Sequence, residues 1–159
     1  MTEPISPSVG WGVLHLFCRP TPSLDRGAVM AAVKATQSTG HQVICVSMLG
    51  HKADVCVMGM GPDLRELRRM QTALQNAGLD VIDSYVSLTE VSEYAKGVPD
   101  AMKQARLYPQ LPPADKPAFC FYPMSKKREG HANWFTEVYE RREALMHEHG
   151  KSGRNFAGR

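Results

Sequence analysis

The sequence has few of the short signatures that usually announce a chemistry. Its four cysteines, Cys18, Cys45, Cys56 and Cys120, form no CxxC pair. That argues against a zinc knuckle, and in a protein expected in the cytoplasm the four read as buried free thiols. No apolar run is long enough to cross a bilayer, so no membrane span is predicted. The opening MTEPISPSVG has no basic segment leading into an apolar one, which predicts no signal peptide and a cytoplasmic location. A GxSxG nucleophile elbow is absent. The glycines of MGMGP precede a helix, yet the rest of a dinucleotide fingerprint or P-loop is missing, so this stretch reads as a strand-to-helix turn. Charge of one sign is scarce as well. The formal net charge is +3, too small to call for nucleic acid as a partner.

What remains is an ordinary soluble composition, with 43% apolar and 22% charged residues in a chain of 159, enough for one domain or two very small ones. Nine methionines read as soft core filling. VGWGVLHLFC alternates as a strand should. Ser23 then reads as the N-cap of a helix carrying Val29, Met30 and Val33, which GHQ breaks. VICVSMLG and VCVMGM are the next strands, joined by the polar HKAD. Pro62 and Asp63 open a second helix with an apolar stripe of Leu64, Leu67, Met70 and Leu74; Arg65, Arg68 and Arg69 form its solvated face. Gly78 closes that helix, and LDVIDSYVSLTEV is a fourth strand. The order β-α-β-β-α-β predicts an α+β fold, a ferredoxin-like antiparallel sheet with two helices on one face, over residues 1–97.

Residues 98–117 are rich in proline and read as a linker lying over the surface. AFCFYPM then predicts a new strand, and Glu137 to His149 a helix that Gly150 stops. Residues 118–159 thus begin a second unit as β-α. A lone strand and helix leave an unpaired edge and an uncovered apolar face, so a complementing C-terminal chain or fragment is expected.

The chemistry-bearing side chains collect in this second half. His149 shares a helix side with Val138 and Leu145 and is expected to turn away from water. It reads either as a hydrogen-bonded core histidine or as a neutral imidazole donor to haem iron. His147 faces elsewhere, which argues against a helical zinc pair. Tyr122 and Met124 share one face of the predicted strand, with Lys126 continuing it. The phenol reads as a cover for the sheet, or as a hydrogen-bond donor, acid or one-electron relay. A cation beside it favours a phenolate or a bound carboxylate. Arg106 and Arg154 fall in loop-like sequence and read as solvated groups or as carboxylate forks.

The stretches ARLYPQLPP, FCFYPMSKKREGHANW and ERREALMHEHGKSGRNFAG together resemble the chlorite dismutase-like family and, within it, the coproheme decarboxylases of haem biosynthesis. The likeness is dense from Ala105 to Gly158 and extends to LGHKADV and SYVSLTEVSEY in the first unit; it departs at Phe135 and Val138. It implies a dimeric α+β barrel and a homo-oligomeric ring, commonly a pentamer. It implies iron-coproporphyrin III as substrate, haem b as product and hydrogen peroxide as oxidant. In that family pattern His149 is the axial iron ligand and Tyr122 the catalytic tyrosine. Lys126 assists loss of the second propionate carboxyl, Arg106 binds a propionate, and Met124, Tyr94, Arg154 and Trp134 line the porphyrin pocket. Competing readings are a haem-binding relative of other activity, a non-catalytic haem-binding subunit that needs a complementing chain, and a dimeric ferredoxin-like sensor.

Overall fold

In a computed structural model, residues 3–50 and 52–156 are described. The end of the family likeness at Gly158 and His51 of LGHKADV therefore lie outside the described residues. Two compact units divide the chain. One takes Met1–Val91 and Val98–Phe119, the other Ser92–Gly97 and Cys120–Arg159.

The first unit runs β1 (Gly12–Pro20), α1 (Arg26–Ser38), β2 (Gln42–Ser47), β3 (Val55–Gly61), α2 (Leu64–Asn76) and β4 (Leu79–Leu88). The strands lie in the order β2-β3-β1-β4, and every neighbouring pair is antiparallel. This is the predicted ferredoxin-like arrangement. Leu14, Leu16 and Cys18 alternate onto one face of β1 and meet Val57, Ala32, Val33, Leu67, Met70 and Leu74 in the core beneath both helices. The cap of α1 is Asp25, not Ser23: the Asp25 carboxylate accepts from the Ala28 N–H at 3.0 Å. Ser23 instead shares a hydroxyl hydrogen bond of 3.0 Å with Thr21. An ionised oxygen takes a helix N–H more strongly than a hydroxyl does, and it also complements the helix dipole. Asp63 caps α2 by accepting from the Arg65 N–H at 2.9 Å, and from the Ile5 N–H at 3.1 Å. Gly78, at a φ of 90°, makes the left-handed turn into β4.

The other face of the sheet is covered by the segment expected as a linker. It holds a helix, α3 (Asp100–Leu107), started by Pro99 and carrying Asp100 in its first turn and Arg106 in its last. Gln42 and His15 alternate with core residues and so lie on this second face. The Gln42 amide donates to the Pro109 carbonyl at 2.8 Å and accepts from the Leu111 N–H at 2.6 Å. The Thr89 hydroxyl donates to the Leu107 carbonyl at 2.7 Å, Tyr108 meets Trp11 edge-on at 5.2 Å, and the Phe119 ring lies 6.2 Å from His15. Cys56 and Met60 are buried on this side.

Cys18 and Cys56 are the buried thiols expected; Cys45 and Cys120 are exposed. Cys45 sits on the edge strand β2 and is exposed, although partial burial still raises its thiol pKa.

In the second unit the strand expected from AFCFYPM is not formed. Residues 117–128 carry neither helix nor strand, and among the described residues no strand pairs with them. Alternation prepares a segment for a ladder, but its N–H and C=O groups need a partner strand to become one. Two short 3₁₀ turns follow, Gly130–Ala132 and Trp134–Thr136, and then α4 (Tyr139–Arg154). The helix passes through Gly150 instead of stopping there. A single interior glycine costs about 1 kcal/mol against alanine, and Lys151 and Arg154 in the last turn complement the dipole. No residue of α4 is buried, and His149 is exposed, contrary to the expectation that it turns from water. Leu145 and Met146 on the same side of the helix are half-buried, and that cover stops short of His149 in the following turn. None of the described helices is long and apolar enough to cross a membrane.

Candidate functional site

The second unit gathers aromatic rings and charged groups around one end of α4. Asn133 begins the arrangement: its side-chain oxygen accepts from the Phe135 N–H at 3.0 Å, which starts the 3₁₀ turn that presents Trp134. The Trp134 N–H donates to the Lys127 carbonyl at 3.0 Å, tying the turn to the basic stretch. The Lys126 ammonium stands over the indole, 4.3 Å from the ring centre. It also points at the Met146 sulfur, 3.7 Å away. A cation on an indole face gains about 0.5–1 kcal/mol when exposed. Beside it, the Arg128 guanidinium lies 4.1 Å from the Phe135 ring centre.

Tyr94 meets Trp134 edge-on at 6.1 Å and stacks on Tyr139 at 5.5 Å. Tyr139, Arg142 and Glu143 face this way from α4, at the three- and four-residue spacing of one helix side. The Arg142 guanidinium is 5.9 Å from the Tyr94 ring centre, 5.7 Å from that of Tyr139, and 3.3 Å from the Glu93 carboxylate. Lys96 lies 4.6 Å over the Tyr139 ring and 3.6 Å from the Glu143 carboxylate. Withdrawal from water raises the Tyr94 pKa, and the Glu93 carboxylate adds to this while Arg142 opposes it. Bonding to Tyr139 and attraction to Glu143 raise the Lys96 pKa.

Of the residues singled out from the sequence, Tyr94, Trp134 and Lys126 thus come together. Tyr122 and Met124 stand on the same unit, 68% and 80% exposed on the segment without a ladder. His149 lies one turn beyond Met146 on α4, and Arg154 is at that helix's end, both exposed. Arg106 is exposed on α3 of the first unit. Tyr139, Arg142, Glu93 and Lys96 were not singled out. Their signal was the spacing of Tyr139, Arg142 and Glu143, which reads equally as a solvated face until the rings of Tyr94 and Trp134 are placed against it.

The donor chemistry bears on what could bind. Among the described residues no three His, Cys, Asp or Glu side chains converge to hold a bare ion. His149 offers one exposed imidazole beside Leu145 and Met146, which suits a single axial bond to a metal whose other ligands come from a flat prosthetic group. Lys126, Lys127, Arg128, Lys151 and Arg154 of the same unit are exposed cations of the kind that carboxylates on the rim of such a group would need. The residues therefore fit an anionic iron porphyrin.

Comparison with known proteins gives the same direction. The family described as Chlorite dismutase matches residues 26–159. Coproheme decarboxylase of Staphylococcus carnosus (strain TM300) is 34% identical over 179 aligned residues, covering 94% of this chain and 70% of that protein. A solved structure of a novel heme-binding protein from Thermus thermophilus superposes with a TM-score of 0.75 at 25% identity, covering 99% of this chain and 72% of that one.

Proposed function

Because the chain belongs to the chlorite dismutase family, we propose that it is a coproheme decarboxylase, converting two propionates of iron-coproporphyrin III to vinyl groups with hydrogen peroxide and so giving haem b. The observation that carries this reading is the 34% likeness, across 94% of the chain, to a protein named for that activity. Each step balances: a propionate, one peroxide and one proton give a vinyl group, carbon dioxide and two waters.

When bound, the iron porphyrin supplies peroxide activation. The protein's own groups do the rest on this reading. His149 gives the iron its axial nitrogen. Tyr122, as a phenoxyl radical, takes a hydrogen atom from the propionate carbon next to the ring, which commits the carboxyl to leave. Its exposure suits contact with a ligand laid over the unit. The Lys126 ammonium pairs with the second propionate and neutralises it during its turn. Arg154 forks onto another carboxylate, while Met124, Tyr94 and Trp134 line the porphyrin. Activity in a homo-oligomeric ring, commonly a pentamer in this family, belongs to the same proposal. A second reading, a haem-binding protein of other activity, draws on the likeness to the Thermus heme-binding protein.

Reconstitution with iron-coproporphyrin III, peroxide titration and mass analysis of the porphyrin separate the two. Loss of two carboxyl groups supports the enzyme; a bound, unchanged porphyrin supports the second reading. Tyr122→Phe is expected to bind the porphyrin and leave its propionates intact. Haem b formation by that variant at the parent rate would overturn the role given to Tyr122.

A further inference from the structure

Lys126 is exposed at the end of a flexible stem, yet its ammonium is held at one place, over Trp134 and against Met146. What holds Trp134 decides where that place is. The indole has Tyr94 at its edge, and Tyr94 belongs to a stretch, Ser92–Gly97, that leaves its neighbours in sequence to join the second unit. Those six residues form neither helix nor strand; the Ala95 N–H donates to the Ser92 carbonyl at 2.9 Å to close a turn, and side chains anchor that turn to α4. The contacts that do so converge on Arg142. Its guanidinium takes the Glu93 carboxylate at 3.3 Å and lies beside both the Tyr94 and Tyr139 rings, which stack on each other. The Arg142 Nε is out of solvent and has no hydrogen-bond partner, an unfavourable placement that simple packing would avoid with an apolar residue.

We infer that Arg142 is a positioning residue for Lys126: it fixes the Tyr94 ring, Tyr94 sets the Trp134 indole, and the indole sets the ammonium. Its functional consequence rests on the proposed role of Lys126 toward the second propionate; the geometry itself does not.

The test uses the full chain and two readouts. Lysines are reductively methylated with carbon-13 and followed by NMR without porphyrin, with the Lys126 resonance assigned by Lys126→Arg. In the parent protein this resonance is shifted by the indole ring current, and Trp134→Leu removes the shift. Arg142→Met is expected to move it most of the way to the same unshifted position while the Lys103 resonance, in the first unit, stays put. Arg142→Lys, which keeps a cation beside Glu93, restores part of the shift. A general loosening of the fold would show no such rescue. Glu93→Gln, which leaves Arg142 and both rings in place, gives a smaller shift in the same direction and serves if Arg142→Met fails to fold. An unchanged Lys126 resonance in folded Arg142→Met, or in Glu93→Gln when the first variant is unfolded, overturns the inference. In the second readout, iron-coproporphyrin III and peroxide are added. Arg142→Met is expected to lose the first carboxyl normally and the second about ten- to a hundredfold more slowly, the scale of a small misplacement of a reacting group. If the parent protein decarboxylates nothing, the proposed function falls while the NMR result still decides the positioning role.

Discussion

The His41 imidazole fills the space that a β-carbon on Gly61 would need, at a separation shorter than real β-carbons reach. The ring cannot easily yield. Its Nδ1 is 2.9 Å from the Thr39 hydroxyl, and its Nε2 is 3.0 Å from the Asp63 carbonyl oxygen and 3.2 Å from the Asp63 nitrogen. The Thr39 hydroxyl itself donates to the Thr36 carbonyl at 2.7 Å. One side chain thus ties the end of α1 to the start of α2. Gly61→Ala is expected to cost about 1–3 kcal/mol of stability in urea unfolding, as overpacking does. In a double-mutant cycle with His41→Ala the two costs should not add; strict additivity would show that His41 is not what the new methyl meets.

A second prediction concerns acid. His15 is 8% exposed, and burial lowers its pKa while a hydrogen bond with the Tyr85 backbone opposes the shift. The folded chain therefore takes up this proton at a lower pH than the unfolded chain, whose histidine titrates near about 6.5. Stability from this site is complete above that value and is lost as pH falls from it through the folded value. Urea midpoints at neutral and mildly acid pH should fall more for the parent than for His15→Gln. Equal falls would remove His15 from the account.

Thiol chemistry provides a third. Burial pushes Cys18 and Cys56 up to about 11, and the Cys45 charge adds to both shifts. The thiolate is the nucleophile, so these two should resist iodoacetamide near pH 8 until urea opens the sheet. Cys120, exposed on the unpaired segment, should be alkylated first. Peptide masses over time check the order; early modification of Cys18 would mean the core is open.

At the alkaline end, the Lys96 pKa is raised by Tyr139 and by the charge of Glu143. The unfolded lysine titrates near about 10.4, so this clamp contributes fully below that pH and is lost as pH climbs through the folded value. Tyr94, also raised, acts in the same direction. Urea midpoints of the second unit should fall more between neutral and strongly alkaline pH in the parent than in Lys96→Met, which has no such clamp to lose. The difference should be small, since the pair is open to solvent.

The first unit was legible because its information is local: alternation in β1 to β4, an apolar stripe on α2, Asp63 at its start and Gly78 past its end. The misplaced cap shows the limit, since Ser23 and Asp25 lie two residues apart and only geometry chooses between them. Proline richness hid α3, though Pro99, Asp100 and Arg106 stand where a short helix wants them. The strand expected at Tyr122 failed for a different reason. Alternation says which side chains share a face, but pairing is a property of two segments, and a sequence window sees one. Likewise Lys126 and Trp134 were named singly, whereas Arg142 gains meaning only from rings brought to it by residues 92–97.

That excursion of Ser92–Gly97 into the second unit also bears on how the chain can be divided. No single cut yields both units whole. A truncation after Val91 strips the first unit of the strap that covers its sheet, and one after Phe119 strips the second of Glu93, Tyr94 and Lys96. The two are interlaced along the backbone. An inserted or exchanged module at either boundary must therefore carry the six-residue excursion with it, or reach its new setting with α4 unclamped.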